Sequence, residues 1–268
     1  MPELPEVETT LRGIRPFLLG ETIDDLIIRQ PSLRYPVTSG IEESIRGRAI
    51  KEVSRRAKYI QLHLDNGSML VHLGMSGSLR ILKPNVDWKK HDHIQLKLVS
   101  GKALRYHDPR RFGSWLWSSE GHWQLNNLGP EPLSKEFDGD YLYSLSKGRK
   151  IAVKAFVMTN SVVVGVGNIY ASEALFSTGI RPDRAAGRIS RNRYNLLAEK
   201  IKVTLKNAIN LGGTTLRDYS NSTGDPGYFK QELFVYGRSG LPCKNCSNAL
   251  AESRIGQRSS VFCPKCQV

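Results

Sequence analysis

The chain has 268 residues, 40% hydrophobic and 24% charged, with 39 Lys and Arg against 25 Asp and Glu for a formal net charge of +14. That balance excludes a disordered chain and suits one large domain, or two modest ones plus a small module. No apolar run approaches the roughly 18 residues of a membrane span, and no basic start precedes an apolar stretch as in a secretory signal, so no membrane association and a cytoplasmic location are expected. So large a positive excess points to a polyanion, nucleic acid first, because neutralised phosphates release counterions; the plain alternative is a basic protein without such a partner.

The chain opens "MPELPEVETT". Residues 2–19 read as a helix. Pro2 and Pro5 fall in its first turn, where a missing N–H costs little, and Glu3, Glu6 and Glu8 complement the N-terminal dipole. Val7, Leu11, Ile14 and Leu18 share a face, Pro16 is expected to end or bend the last turn, and Gly20 is a plausible stop. The start also has a chemical reading: once Met1 is removed, Pro2 carries the only secondary amine able to act as a nucleophile.

From about 22 to 118 short apolar runs alternate with turn formers: "LIIR", "YIQLHL", "SMLVHLGM", "SLRIL", "HIQLKLV", "ALRYH", "FGSWLW". Many short strands without helices between them predict an antiparallel sandwich or barrel. "NNLGPEPLSKEFDGD" (126–140) reads as a linker. Beyond it the chain turns helical. Its clearest helix has Tyr194, Leu197, Ile201, Leu205 and Ala208 on one face, Ser190 as a cap and Gly212–Gly213 as a stop. The fold class is therefore α+β.

All four cysteines lie in the last 26 residues, as "CKNC" (243–246) and "CPKC" (263–266), with sixteen residues between. Two such knuckles suit one tetrahedral Zn²⁺ on Cys243, Cys246, Cys263 and Cys266; four thiolates close the coordination shell, so the zinc is expected to be structural. The alternative is four free thiols. "GVGNIYASEALF" (165–176) lacks the G-x-G-x-x-G spacing and a preceding strand, which excludes a dinucleotide fold. It reads as a helix–turn–helix with Asn168 available to a phosphate, or as an ordinary glycine turn. "HLGMSGS" (72–78) and "HDPRRFG" (107–113) place Met75 and Phe112 beside glycines and near Arg110 and Arg111. Such tips can wedge between base steps, unless they are core residues.

Seven motifs in order, "MPELPEVET", "RRAKY", "HLGMSGSLR", "HDPRRFG", "GVGNIYASEALF", "GGTTLRD" and "YGRSGLPCKNC…GQRSSVFCPKCQ", resemble the bacterial formamidopyrimidine-DNA glycosylases over essentially the whole chain. The resemblance implies an N-terminal helix and β-sandwich (1–130), a helix–two-turn–helix domain (131–233) and a four-cysteine zinc finger (234–268), acting as a monomer on damaged double-stranded DNA. It implies a glycosylase and abasic-site lyase for 8-oxoguanine and formamidopyrimidines, working through an iminium on Pro2 and β,δ-elimination. Glu3 matches the family's acid, Lys58 the lysine of β-elimination, and Arg258 the arginine assigned to δ-elimination. With a pKa above 12 an arginine is a better phosphate clamp than acid. Met75, Arg110 and Phe112 match the void-filling wedge, with Arg110 facing the orphaned cytosine. His72, His91, Arg149, Asn168 and Tyr236 match DNA contacts, Lys154 a lysine near the base pocket, and 217–235 a lid over the flipped base. The competing readings are the sibling endonuclease VIII type, against which "ELPEVET" and "RRF" speak, and a non-catalytic zinc-stapled DNA-binding protein. Two positions depart from the family. Thr159 replaces a common acid, with no consequence assigned. Ser247 replaces a glycine, which requires either an ordinary φ or a relaxed turn.

Overall fold

The computed structural model describes residues 2–212 and 233–268. Helix α1 (Leu4–Leu18) begins one turn from the N-terminus with Glu3 as its N-cap. A capping box closes its first turn: the Glu6 carboxylate accepts the Glu3 backbone N–H at 2.8 Å, and the Glu3 side chain faces the Glu6 N–H in return. The helix runs on through Pro16 to Leu18 rather than ending there. The amide that Pro16 lacks lies in the last turn, where Val7, Leu11, Ile14 and Leu18 are buried and tertiary packing outweighs the lost bond.

Eight strands follow: β1 (Ile23–Ile28), β2 (Glu52–Arg56), β3 (Tyr59–His63), β4 (Ser68–His72), β5 (Ser78–Leu82), β6 (Asp92–Leu98), β7 (Ala103–His107) and β8 (Ser114–Ser118). They form two antiparallel sheets, β1-β6-β7-β5 and β2-β3-β4-β8. Leu62, Met69, Val71 and Trp115 of one sheet join Ile94, Leu96, Leu104 and Tyr106 of the other in a single buried cluster with α1. This is the expected sandwich, with two additions. Strand β2, rich in charge, showed no apolar alternation; it is an edge strand whose burial is largely confined to Val53. A five-residue helix, α2 (Ile41–Ile45), interrupts the strand series and buries only Ile41 and Ile45.

The second compact unit begins at Asn127 and comprises 127–210 with 231–268. The stretch 126–140 is thus not a free linker. Gly129 N–H donates to Asn160 at 2.8 Å and Val164 N–H to Pro130 at 3.2 Å, so its first residues are stitched into the helical unit. Helices α3 (Gly139–Ser146), α4 (Val153–Val157), α5 (Asn168–Ser177) and α6 (Arg191–Asn210) pack together, α6 through the apolar face read from the sequence. The finger is a hairpin, β9 (Ala251–Ile255) and β10 (Arg258–Phe262), flanked by the cysteine knuckles. It is not a separate body, because Phe176 of α5 enters the finger's own buried cluster with Val235, Leu250 and Val261. Three segments distinguishable in sequence therefore fold as two compact units.

Candidate functional site

In the first unit, α1 mounts the N-terminus. Pro2 and Glu3 are both buried, Glu3 to 2% exposure. Further along the helix, Glu8 accepts from Arg55 Nε at 2.8 Å, and Arg55 also donates to the Ala57 carbonyl at 2.9 Å. That pair ties the helix to the two-residue turn Ala57–Lys58 joining β2 to β3, with Ala57 at φ 54°. Burial alone would raise the Glu8 pKa; Arg55 and Arg12 more than offset it and hold the carboxyl below its ordinary value. Glu8 is thus more than a dipole complement, because it anchors the turn that carries Lys58.

His72, at the end of β4, packs its ring against Tyr59 with centroids 4.8 Å apart. Its Nδ1 accepts the Gly74 N–H at 3.0 Å, which leaves the ring proton on Nε2. Burial first, then the positive charges of Lys58 and Arg34, push its pKa down to about 4, although Asp108 opposes them. His72 is therefore a neutral hydrogen-bond donor at pH 7, and its shift places Lys58 and Arg34 in its field. His91 is half-buried, its ring edge-on to those of His93 and His107.

The two glycine-flanked turns meet. A Cβ on Gly74 would lie 2.4 Å from Gly113 N and Phe112 C, and one on Gly113 would lie 1.8 Å from the Tyr106 hydroxyl. Only glycine allows that approach, and Gly74 also takes φ 63°. Met75 is half-buried, Arg110 is exposed, and Phe112 is 47% exposed, with the Arg110 guanidinium 4.9 Å from its ring centroid. Neither Met75 nor Phe112 is a core residue. At the base of both turns lies Asp108, fully buried, whose carboxylate accepts from Ser76 Oγ at 2.8 Å, Gly113 N at 2.9 Å and Tyr106 O–H at 3.1 Å.

In the second unit, two helix starts converge on β10. Lys154 Nζ donates to Ser260 Oγ at 2.7 Å and to the Ser259 carbonyl at 3.1 Å, and Asn168 Nδ2 donates to the same carbonyl at 3.2 Å. Lys154 is 1% exposed. Its ammonium bonds to the finger strand, which offers it two oxygens. Arg258 is exposed next to the residue so held, and follows a turn in which both central residues are left-handed, Gly256 at φ 54° and Gln257 at φ 61°. Such a turn matches the twist of a two-residue hairpin. Tyr236 is half-buried, and its backbone N–H is one of three in a row, with Phe234 and Val235, accepted by the buried carboxylate of Glu173 at 2.9–3.0 Å. Arg149 is exposed and lines a groove with Leu145, Ile151, Phe156 and Thr159. The lid expected over 217–235 lies, apart from 233–235, outside the described residues.

The four cysteine Sγ atoms lie within 4.8 Å of one another, with Cys243–Cys266 at 3.9 Å and Cys246–Cys263 at 3.4 Å. A tetrahedron of Zn–S bonds of about 2.3 Å has edges of about 3.8 Å, so the cluster fits one zinc. Backbone N–H groups of Asn245 and Cys266 point at Cys243 and Cys263 sulfurs at 3.4 and 3.3 Å, as suits thiolates. Ser247 does not keep an ordinary φ: it stands at 64°, and its N–H closes the knuckle on the Cys243 carbonyl at 2.9 Å. The turn is preserved and the serine takes the glycine conformation.

Glu8, Arg55, Ser76, Asp108 and Glu173 were missed as site residues. Their only sequence signal is membership of the quoted motifs, and their roles depend on contacts up to 63 residues apart.

Three family profiles match in order: the formamidopyrimidine-DNA glycosylase N-terminal domain over residues 1–115, the H2TH domain of the same enzymes over 128–220, and the zinc finger found in FPG and IleRS over 240–268. Formamidopyrimidine-DNA glycosylases of Marinobacter nauticus and Stutzerimonas stutzeri are 55% and 56% identical, each over 100% of both chains. Among solved structures, the MutM (Fpg) protein of Thermus thermophilus superposes with TM-score 0.88 at 36% identity, covering 99% of this chain and 98% of that one. The Lactococcus lactis Fpg bound to DNA containing an abasic site reaches TM-score 0.91 at 29% identity, over 99% of both. A helix-mounted N-terminus on a sandwich, helices gripping a four-cysteine finger and this similarity define a base-excision repair DNA glycosylase. The chain belongs to the formamidopyrimidine-DNA glycosylase family. Among the described residues no helix is long and apolar enough to cross a membrane.

Proposed function

We propose that this protein excises oxidised purines, 8-oxoguanine and formamidopyrimidines, from duplex DNA and then cleaves the strand, acting as a single chain in the bacterial cytoplasm at the nucleoid. The observation that carries the reading is the mount of the N-terminus. Pro2 and Glu3 are buried at the head of a helix that is locked by a capping box and by its packing into the sandwich core. A mature N-terminal proline there has a secondary amine partly desolvated, which favours its neutral, nucleophilic form.

The Pro2 nitrogen bonds to C1′ as the bond from C1′ to the damaged base breaks. Loss of the amine proton then opens the sugar to an iminium, with Glu3 delivering a proton to the departing ring oxygen. Removal of a C2′ proton expels the 3′-phosphate, and a second elimination expels the 5′-phosphate. Lys58, held by the Glu8–Arg55 pair, serves the first elimination and a phosphate contact. Arg258 clamps a phosphate from its strained turn. His72 donates through Nε2, and His91, Arg149, Asn168 and Tyr236 grip the backbone, with Lys154, bonded to the finger strand, near the damaged-base pocket. Because the lesion must leave the stack, Met75, Arg110 and Phe112 fill the space, and Arg110 reads the orphaned cytosine. The zinc holds the finger that presents Arg258.

Borohydride trapping on an 8-oxoguanine duplex tests this. Wild type is expected to give a covalent adduct and a Pro2→Gly variant far less. No adduct with wild type on either oxidised purine refutes the proposal, and adduct confined to oxidised pyrimidines assigns the protein to the sibling activity.

A further inference from the structure

The Asp108 carboxylate is fully buried, and among the described residues no Lys or Arg forms an ion pair with it. A charge in that position is sustained only by directed hydrogen bonds. It has three, each from a different segment: Ser76 from the turn after β4, Gly113 from the turn before β8, and Tyr106 from β7. Ser76 Oγ in turn accepts the Arg110 backbone N–H at 3.2 Å, so one carboxylate reaches both turns and the residue expected to face the orphaned base. The Asp108 backbone adds to this. Its carbonyl accepts from His93 Nε2 at 2.8 Å and from Arg111 N at 3.2 Å, which steadies a residue at φ 56°.

Resting on the functional reading above, we propose that Asp108, relayed through Ser76, is a positioning residue that presets the backbone of the Met75 and Arg110–Phe112 turns, so that opposite-base selectivity is built into the protein before DNA arrives. Without it the two turns would keep their glycine contact but lose the link that sets Arg110 against Met75. The geometry needs acceptors at both oxygens. An amide at Asp108 can still face Gly113 through its oxygen. Its NH₂ then faces Ser76, whose oxygen would accept from both the amide and Arg110 and whose hydroxyl proton would lose its partner. Asp108→Asn therefore disturbs the relay without changing volume, and Ser76→Ala removes it while leaving the carboxylate bonded to Gly113 and Tyr106.

The test measures kcat/KM for 8-oxoguanine opposite cytosine and opposite adenine in full-length zinc-loaded protein, alongside thermal melting. Ser76→Ala and Asp108→Asn are expected to cut the cytosine-to-adenine ratio about tenfold, mainly through KM on the cytosine duplex. Tyr106→Phe removes a hydroxyl shared between the same carboxylate and the His72 carbonyl but leaves the Ser76–Arg110 link in place, and is expected to keep the ratio. A merely structural role predicts that both substrates fall together. An unchanged ratio in Ser76→Ala overturns the inference even if Asp108→Asn fails to fold, and so does a Tyr106→Phe ratio that collapses equally. Wild type without lesion cleavage sinks the functional reading, and this inference with it.

Discussion

Ser247 offers a prediction whose magnitude comes directly from a backbone angle. At φ 64° a residue with a Cβ costs roughly 1–2 kcal/mol relative to an ordinary conformation. Glycine removes that cost but gains unfolded-state freedom of about 0.4–1 kcal/mol. The serine is exposed, and among the described residues no hydrogen bond to its side chain offsets the strain. Ser247→Gly should therefore stabilise the knuckle by about 0.5–1 kcal/mol. Because a structural zinc binds only the folded knuckle, that gain appears as a roughly two- to fivefold rise in apparent zinc affinity. The assay is competition with a chromogenic chelator at pH 7, with Ser247→Val as the opposite perturbation, since a β-branched side chain tolerates this φ least. The reasoning fails if Ser247→Gly loses zinc as readily as wild type, or if Ser247→Val retains it better.

Glu8→Gln breaks a largely buried ion pair, with side chains 12% and 17% exposed, and should cost about 1–3 kcal/mol in urea denaturation. The folded Glu8 pKa lies below its ordinary 4.5, so its contribution is present above that pH and is lost as pH falls through the depressed value; a variant with an unchanged acid limb would contradict this. Asp92 accepts from Arg80, from Arg105 at 3.2 Å and from His107 at 2.8 Å. Burial raises its pKa, but these donors and Lys89 N–H pull it from 3.8 to about 2. It therefore contributes about 2 kcal/mol above pH 4, lost between about pH 4 and 2, and Asp92→Asn should flatten that stretch of the stability curve. Glu173→Ala strands three buried or half-buried amides and should raise KM for duplex DNA more than it lowers kcat, as read by steady-state kinetics. Zinc removal should abolish strand cleavage while leaving the sandwich's circular dichroism and melting intact; full activity of the metal-free protein would contradict a structural zinc.

Much of the site was legible because its residues are local. The cysteine pairs converge by knuckle spacing alone, and the α1 start announces itself through Pro, Glu and apolar periodicity within ten residues. Strand β2 was not legible, because an edge strand with one buried residue carries no alternation. What holds Lys154 was not legible for a related reason. Its sequence neighbours say nothing of Ser259 and Ser260, more than a hundred positions away, which draw its ammonium inward. Asp108, Ser76 and Glu173 look like ordinary polar residues until burial makes their hydrogen bonds obligatory.

The sequence by itself determined the α+β class, the sandwich strands, the zinc ligands and the motifs that give the family, because each rests on short-range spacing that local sterics and coordination chemistry enforce. Tertiary structure alone decided which charges are buried and what they hold. Glu8 clamps the Lys58 turn, Asp108 joins two turns that approach closely at Gly74 and Gly113, and the finger packs onto α5 as one unit with the helices. The physical reason is that desolvation depends on everything packed around a group. A carboxylate's role is set by the donors that folding brings to it, and those donors come from anywhere in the chain.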